Sequence, residues 1–102
     1  MITGFKGSDK VVGFCGYDYS DCINRWQLKR VAKKLMKSAD MRKIKISYID
    51  SEKVCGSRFN YYKAEADGEV KYIQMDFNDY EGAHYYECFK VTGNDETGET
   101  NE

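Results

Sequence analysis

The sequence predicts an α+β fold in which one amphipathic helix packs on a mainly antiparallel sheet of four to five strands. Three observations predict this class: an apolar stripe at helical spacing, a favoured two-residue hairpin turn, and several β-rich segments. The element order is expected to be β-α-β-β-β-β. We expect residues 1–92 to form a single domain and residues 93–102, which lack large apolar side chains, to form a flexible acidic tail.

The first two elements are a short strand and the helix. Residues 10–15 are rich in β-forming side chains and bounded by glycines. Asp18 or Ser20 can cap a helix, which should therefore run from about residue 20 to about 39. The apolar stripe that would face the core consists of Leu28, Val31, Ala32, Leu35, Met36 and Ala39.

The remaining elements are strands. Alternating or β-rich segments place them at about residues 43–48, 57–66, 69–77 and 83–92. Asp67 and Gly68 are a favoured pair for a two-residue turn, so the second and third of these segments should form a hairpin. That turn places Ala66 opposite Glu69 and Tyr62 opposite Ile73.

The amino-acid composition indicates which broad class of protein this chain belongs to. The chain is 41% hydrophobic and 32% charged, which is typical of a globular protein. Its apolar runs are only a few residues long, so we expect no membrane span. Residues 1–9 contain glycine and charge where a secretory signal would be apolar, so the expected location is the cytoplasm of the producing or host cell.

The sequence contains no recognisable catalytic or metal-binding motif. The four cysteines form no C-x-x-C pair, and His84 is not placed to complete a zinc site, so buried free thiols are expected. A nucleophile and base could be drawn from His84 with Cys15 or Cys88, but no third orienting residue can be named. The glycines match neither a dinucleotide fingerprint nor a phosphate-binding loop. We therefore expect a protein that is not an enzyme and needs no cofactor.

Charge is segregated along the chain. Residues 1–63 carry a net charge of +8 and residues 64–102 a net charge of −9. Two outcomes are open: the two parts neutralise each other in the fold, or they form separate basic and acidic surfaces, each able to steer a partner of opposite charge. This pattern, with nine tyrosines, indicates binding.

The leading hypothesis is a non-enzymatic interaction protein that docks an acidic, tyrosine-rich face on a basic surface of a nucleic-acid-handling protein. A small inhibitor from a phage or another mobile element fits this description. The residues expected to contact the partner are Asp76, Asp79, Tyr80, Glu81, Tyr85 and Glu87.

The alternative hypothesis is an RNA- or DNA-binding module. Cationic side chains on one side of the helix would bind phosphates, and aromatic rings would stack on unpaired bases. The residues expected for this role are Trp26, Lys29, Arg30, Lys33, Lys37, Tyr61 and Tyr72. A solvated helix face, and the ordinary preference of strands for tyrosine, account for the same residues without any ligand.

Overall fold

A computed structural model describes residues 4–90 of the chain. Five antiparallel strands form one sheet: β1 (Phe5–Phe14), β2 (Lys45–Val54), β3 (Ser57–Ala66), β4 (Glu69–Asn78) and β5 (Gly82–Lys90). Their order across the sheet is β1-β5-β4-β3-β2. The α+β class and the predicted order of elements along the chain are confirmed. The last residues of the final predicted strand and the predicted tail, residues 93–102, lie outside the described residues.

The predicted helix from residue 20 to 39 is divided in two. Helix α1 (Tyr19–Cys22) is a single turn, and α2 (Arg25–Leu35) carries the amphipathic sequence. Asn24 breaks the run because its backbone is extended, with φ −70° and ψ 143°, while its side chain accepts a hydrogen bond from the amide of Gln27. An N-cap residue with an extended backbone marks the start of a helix and is incompatible with a position in the interior of a helix.

Helix α2 covers one face of the sheet. The predicted apolar stripe lies against the sheet, with all of its members buried except Leu35, which is partly buried. The large sheet residues that pack in the same core as the stripe are chiefly Tyr62, Ile73, Met75 and Tyr85. Within residues 4–90, no helix is long and apolar enough to cross a membrane.

The β3–β4 hairpin has the predicted register, with Ala66 opposite Glu69 and Tyr62 opposite Ile73. Asp67 and Gly68 both have positive φ, 51° and 82°. A two-residue turn with two positive φ angles matches the right-handed twist of the strands, which explains why this pair is favoured.

The other face of the sheet, here called the helix-free face, carries a second small core. Phe5 of β1 stacks on Tyr61 of β3, with ring centroids 5.5 Å apart, although β5 and β4 lie between these strands. Tyr72 and Cys88 pack beneath the pair. Large side chains on both faces of the β3–β4 hairpin are thus accounted for by two clusters, one on each side of the sheet.

Candidate functional site

The β4–β5 turn brings together three of the predicted partner-binding residues, Asp79, Tyr80 and Glu81. The side-chain oxygen of Asn78 accepts hydrogen bonds from the amides of Tyr80 and Glu81, at 3.0 and 2.8 Å. Such a side-chain bridge orders a turn. Tyr80, at the tip of this turn, is 91% exposed. The turn therefore holds an aromatic ring in solvent between two carboxylates.

The loop between β1 and α1 lies directly beside this turn. The amide of Cys15 donates to the carbonyl of Ala83, and the amide of Ala83 donates to the carbonyl of Gly16, both at 3.0 Å. These bonds place Tyr17, which is 63% exposed, next to the β4–β5 turn. We call the combined surface the acidic end; its members are Phe14, Tyr17, Asp18, Asp79, Tyr80 and Glu81.

Sequence reasoning missed Phe14, Tyr17 and Asp18 as members of this surface. Their position depends on the pairing of the first strand with the last, β1 with β5. The residues that pair are 70 to 85 positions apart in the chain, from Phe14 with His84 to Phe5 with Lys90. Such pairing leaves no local pattern in the sequence.

Asp76 adjoins the acidic end on the helix-free face, where it lies opposite His84. One of its carboxylate oxygens is buried and has no hydrogen-bond partner within the described residues. Burial raises the pKa of Asp76, the charge of His84 lowers it, and the nearby carboxylate of Glu81 raises it further. Asp76 lies two residues before Asn78, whose side chain orders the turn that carries Glu81.

Tyr85 is not a contact residue, and its inclusion in the predicted acidic face is wrong. Its side chain is 0% exposed and faces the helices, where the hydroxyl donates to the carbonyl of Cys22. Burial raises the pKa of Tyr85 above its usual value. Alternate residues of a strand point to opposite faces, and the sequence did not reveal which set in β5 would lie under the helices.

Glu87 is also separated from the acidic end. It lies on the helix-covered side of β5, five residues beyond the turn, and its carboxylate is 3.4 Å from the ammonium group of Lys71. The structure therefore groups Asp79, Tyr80 and Glu81, places Asp76 beside them, and leaves Tyr85 and Glu87 outside the group.

The basic helix residues of the alternative hypothesis are in different environments. Trp26 and Arg30 are exposed on α2, whereas Lys29 is half-buried. The ammonium group of Lys33 donates to the carbonyls of Lys37 and Ala39, so it ties the segment that follows α2 back to the helix. Lys37 itself is exposed but lies beyond the end of α2.

The tyrosines assigned to the alternative site lie on the other side of the sheet. Tyr61 is buried in the second core and its hydroxyl donates to a carboxylate oxygen of Glu52 at 2.8 Å. Tyr72 packs against the same cluster. The sheet separates both rings from α2, so their inclusion in one nucleic-acid site with the helix is wrong.

A cleft that sequence reasoning missed lies beside α1, over the end of the β2–β3 hairpin. It has two lobes of about 460 and 430 Å³ that share Tyr19, Lys53 and Arg58. The side-chain amide of Asn60 donates to the hydroxyls of Tyr19 and Tyr62, at 2.8 and 3.0 Å. Tyr19 and Asn60 are 41 positions apart, so only the fold brings these polar groups together.

The thiols are free in the part of the chain that the structure describes. Cys22 and Cys88 are buried, and burial raises the pKa of each to about 12. Cys55 is exposed in the β2–β3 turn. No group of three metal-ligating side chains converges within residues 4–90.

No family model, curated protein or solved structure matches this chain. Its function must therefore be inferred from its own geometry.

Proposed function

We propose that the chain is a non-enzymatic interaction protein of the cytoplasm that docks its acidic end on a basic surface of a nucleic-acid-handling protein. The observation that carries the proposal is the 91% exposed ring of Tyr80, held on an ordered turn between Asp79 and Glu81. A tyrosine in this position contributes little to the core. Rigid amphipathic rings of this kind are common anchors in protein interfaces.

The carboxylates of the acidic end are available to a partner. The ion pairs among residues 4–90 use Asp40, Glu65 and Glu87, so none of the three carboxylates at the acidic end is neutralised by a salt bridge there. Asp76 adds a further negative group at the edge of the surface. Together these charges would attract a basic surface and accelerate its association.

We infer the nature of the partner from the two carboxylates that flank the exposed ring of Tyr80 along the chain. Carboxylates placed on either side of an aromatic ring resemble phosphates beside a base, so they suit a cationic surface that normally binds nucleic acid. Occupation of that surface would make the chain an inhibitor, as expected for a small phage or mobile-element protein. The four free thiols fit a reducing cytoplasm.

The test is affinity capture from producing cells with a tagged chain, followed by measurement of the dissociation constant for the captured partner. We expect the double variant Asp79→Asn with Glu81→Gln, and separately Tyr80→Ala, to lose the partner. The matched control, Asp67→Asn with Glu69→Gln, removes the same charge from the β3–β4 turn and should retain it. Duplex DNA or RNA should compete with the chain for the partner.

The proposal fails if both acidic-end variants retain the same partner with unchanged affinity at physiological salt. Equal loss of binding in the β3–β4 control would also contradict it, because net charge alone would then explain capture.

A further inference from the structure

The cleft beside α1 is open because the helical segment is broken. Tyr19 and Ile23 of the α1 region form one wall, and the β2–β3 hairpin forms the other. Helix α2 begins only at Arg25 and covers other parts of the sheet. A cavity therefore remains over the end of the hairpin on the helix-covered side.

The floor of the cleft contains an uncompensated polar group. Asn60 is only 3% exposed, and although its amide nitrogen binds two tyrosine hydroxyls, its side-chain oxygen has no partner among the described residues. Reversing the amide would leave the nitrogen unsatisfied instead. A buried polar group without a partner is costly, and such groups are concentrated at functional sites.

Two cations meet at the centre of the cleft. Lys53 lies directly opposite Arg58 in the β2–β3 ladder, where like charges destabilise a sheet. Neither takes part in an ion pair among residues 4–90. The guanidinium of Arg58 lies 4.6 Å from the centroid of the Tyr19 ring, a cation–π contact that restrains its position in the cleft. A guanidinium stacked on a ring can still bind an anion through its N–H groups. An anion bound here would relieve the repulsion.

An exposed aromatic ring lies next to these cations. Tyr48 is 60% exposed, although its hydroxyl donates to Ser51 at 3.0 Å and its ring is 5.9 Å from that of Tyr62. These contacts fix the ring on one side and leave area for a ligand. Ile23, also exposed, lines the same lobe.

We propose that this cleft binds a nucleotide, with the base stacked on Tyr48 and the phosphate held by Lys53 and Arg58. A lobe of about 430 Å³ lies within the usual size range of small-ligand pockets. Glu52 also lines this lobe, where its carboxylate accepts a hydrogen bond from the hydroxyl of Tyr61, and Asp79 lines the neighbouring lobe. These two carboxylates disfavour a longer polyphosphate and favour a single phosphate. The same chemistry is offered by a free nucleoside monophosphate and by one nucleotide of a single strand. The lobe that would hold the nucleotide shares no residue with the acidic end, although Asp79 of the acidic end lines the neighbouring lobe.

The test is a fluorescence or calorimetric titration of the full chain with the four nucleoside monophosphates, inorganic phosphate and fluorescein-labelled eight-nucleotide single strands. We expect Arg58→Gln and Tyr48→Ala each to weaken nucleotide binding by about tenfold. Lys45→Gln is the matched control, because it removes one cation from the same β2–β3 hairpin but on the helix-free face. Tyr80→Ala, which removes the anchor of the acidic end, should leave nucleotide binding unchanged.

Each outcome decides the proposal. Binding of monophosphates as tight as that of oligonucleotides supports a free nucleotide, and preference for oligonucleotides supports a single strand, provided that Arg58→Gln and Tyr48→Ala weaken it. No binding of either at low salt overturns the proposal. The proposal is also overturned if both cleft variants bind nucleotide as tightly as the unaltered chain, or if Lys45→Gln weakens binding by the same factor. Loss of binding in Trp26→Ala on α2, with the cleft variants unaffected, would overturn it as well. Because Tyr80 is not part of the cleft, either site can fail without the other.

Discussion

Gly82 allows the β4–β5 turn to approach the β1–α1 loop. Its φ is 77°, and a side-chain carbon there would lie 2.5 Å from the carbonyl oxygen of Gly16. We expect Gly82→Ala to lower the free energy of unfolding in urea by about 2 kcal/mol or more, because it combines backbone strain with a clash.

Gly68→Ala is the matched control for that variant. Gly68 has a similar φ of 82°, but no atom lies within 4 Å of the added carbon. Strain alone should cost about 1 kcal/mol. If Gly82→Ala and Gly68→Ala lowered the free energy of unfolding equally, the close contact between the β4–β5 turn and the β1–α1 loop would be contradicted.

Asp76 gives a prediction about pH. Because burial raises its pKa in the folded state above 3.8, the folded chain holds this proton more tightly than the unfolded chain does. The contribution of Asp76 to stability is therefore greatest below pH 3.8 and is lost as the pH rises through the raised pKa. We expect Asp76→Asn to increase the free energy of unfolding at pH 7, and this gain to disappear as the pH falls toward 3.8.

Urea unfolding at a series of pH values measures this effect, with the exposed Asp79→Asn as a control of equal charge change. A loss of stability for Asp76→Asn at neutral pH would mean that attraction to His84 outweighs burial of the carboxylate.

At the level of elements, the break between α1 and α2 depends on Asn24. We expect Asn24→Ala to destabilise the fold by about 1 kcal/mol and Asn24→Gly by only a few tenths, since glycine tolerates the N-cap conformation. Urea unfolding gives the energies and far-ultraviolet circular dichroism gives the helix content. If Asn24→Ala instead raised both stability and helix content, one continuous helix through Ile23 would be favoured.

Local chemistry made some elements predictable. Asp67 and Gly68 determine the turn and the register of their hairpin, and the apolar stripe of α2 identifies its buried side. Asp18 caps α1 as the sequence suggested, but the apolar stripe begins only at Leu28 and gives no sign of the second cap at Asn24. At the other end the stripe continues past Leu35 to Met36 and Ala39, which are buried outside the helix. Periodicity alone therefore overestimated the length of the helix.

Across the whole molecule, the sheet order interleaves the charged parts of the sequence. Strands β4 and β5, which belong to the acidic part of the sequence, lie between β1 and β3, so the basic and acidic parts of the chain do not become opposite halves of the molecule. Acidic residues gather instead where the β4–β5 turn meets the β1–α1 loop. The structure brings Asp79, Tyr80 and Glu81 of the predicted acidic surface together at one turn and buries Tyr85 under the helices. Sequence reasoning could not separate these residues, because sheet faces and strand neighbours depend on long-range pairing.

The cleft beside α1 also depends on long-range pairing that the local sequence does not reveal. Lys53 and Arg58 could be placed opposite each other only once the β2–β3 register was known, and Tyr19 joins them from a distant part of the chain. No residue of the cleft has an unusual sequence neighbourhood, so local reasoning had no reason to select it.

Site-specific photo-crosslinking in producing cells tests the central claim, that the acidic end is the docking surface. A benzophenone amino acid would replace Tyr80 or Tyr17 in separate chains, and Val70, which is exposed at the opposite end of β4, as the control. We predict that illumination links a basic, nucleic-acid-handling protein to positions 80 and 17 and leaves position 70 unlinked. Crosslinks to that protein from position 70, with none from position 80, would contradict the account.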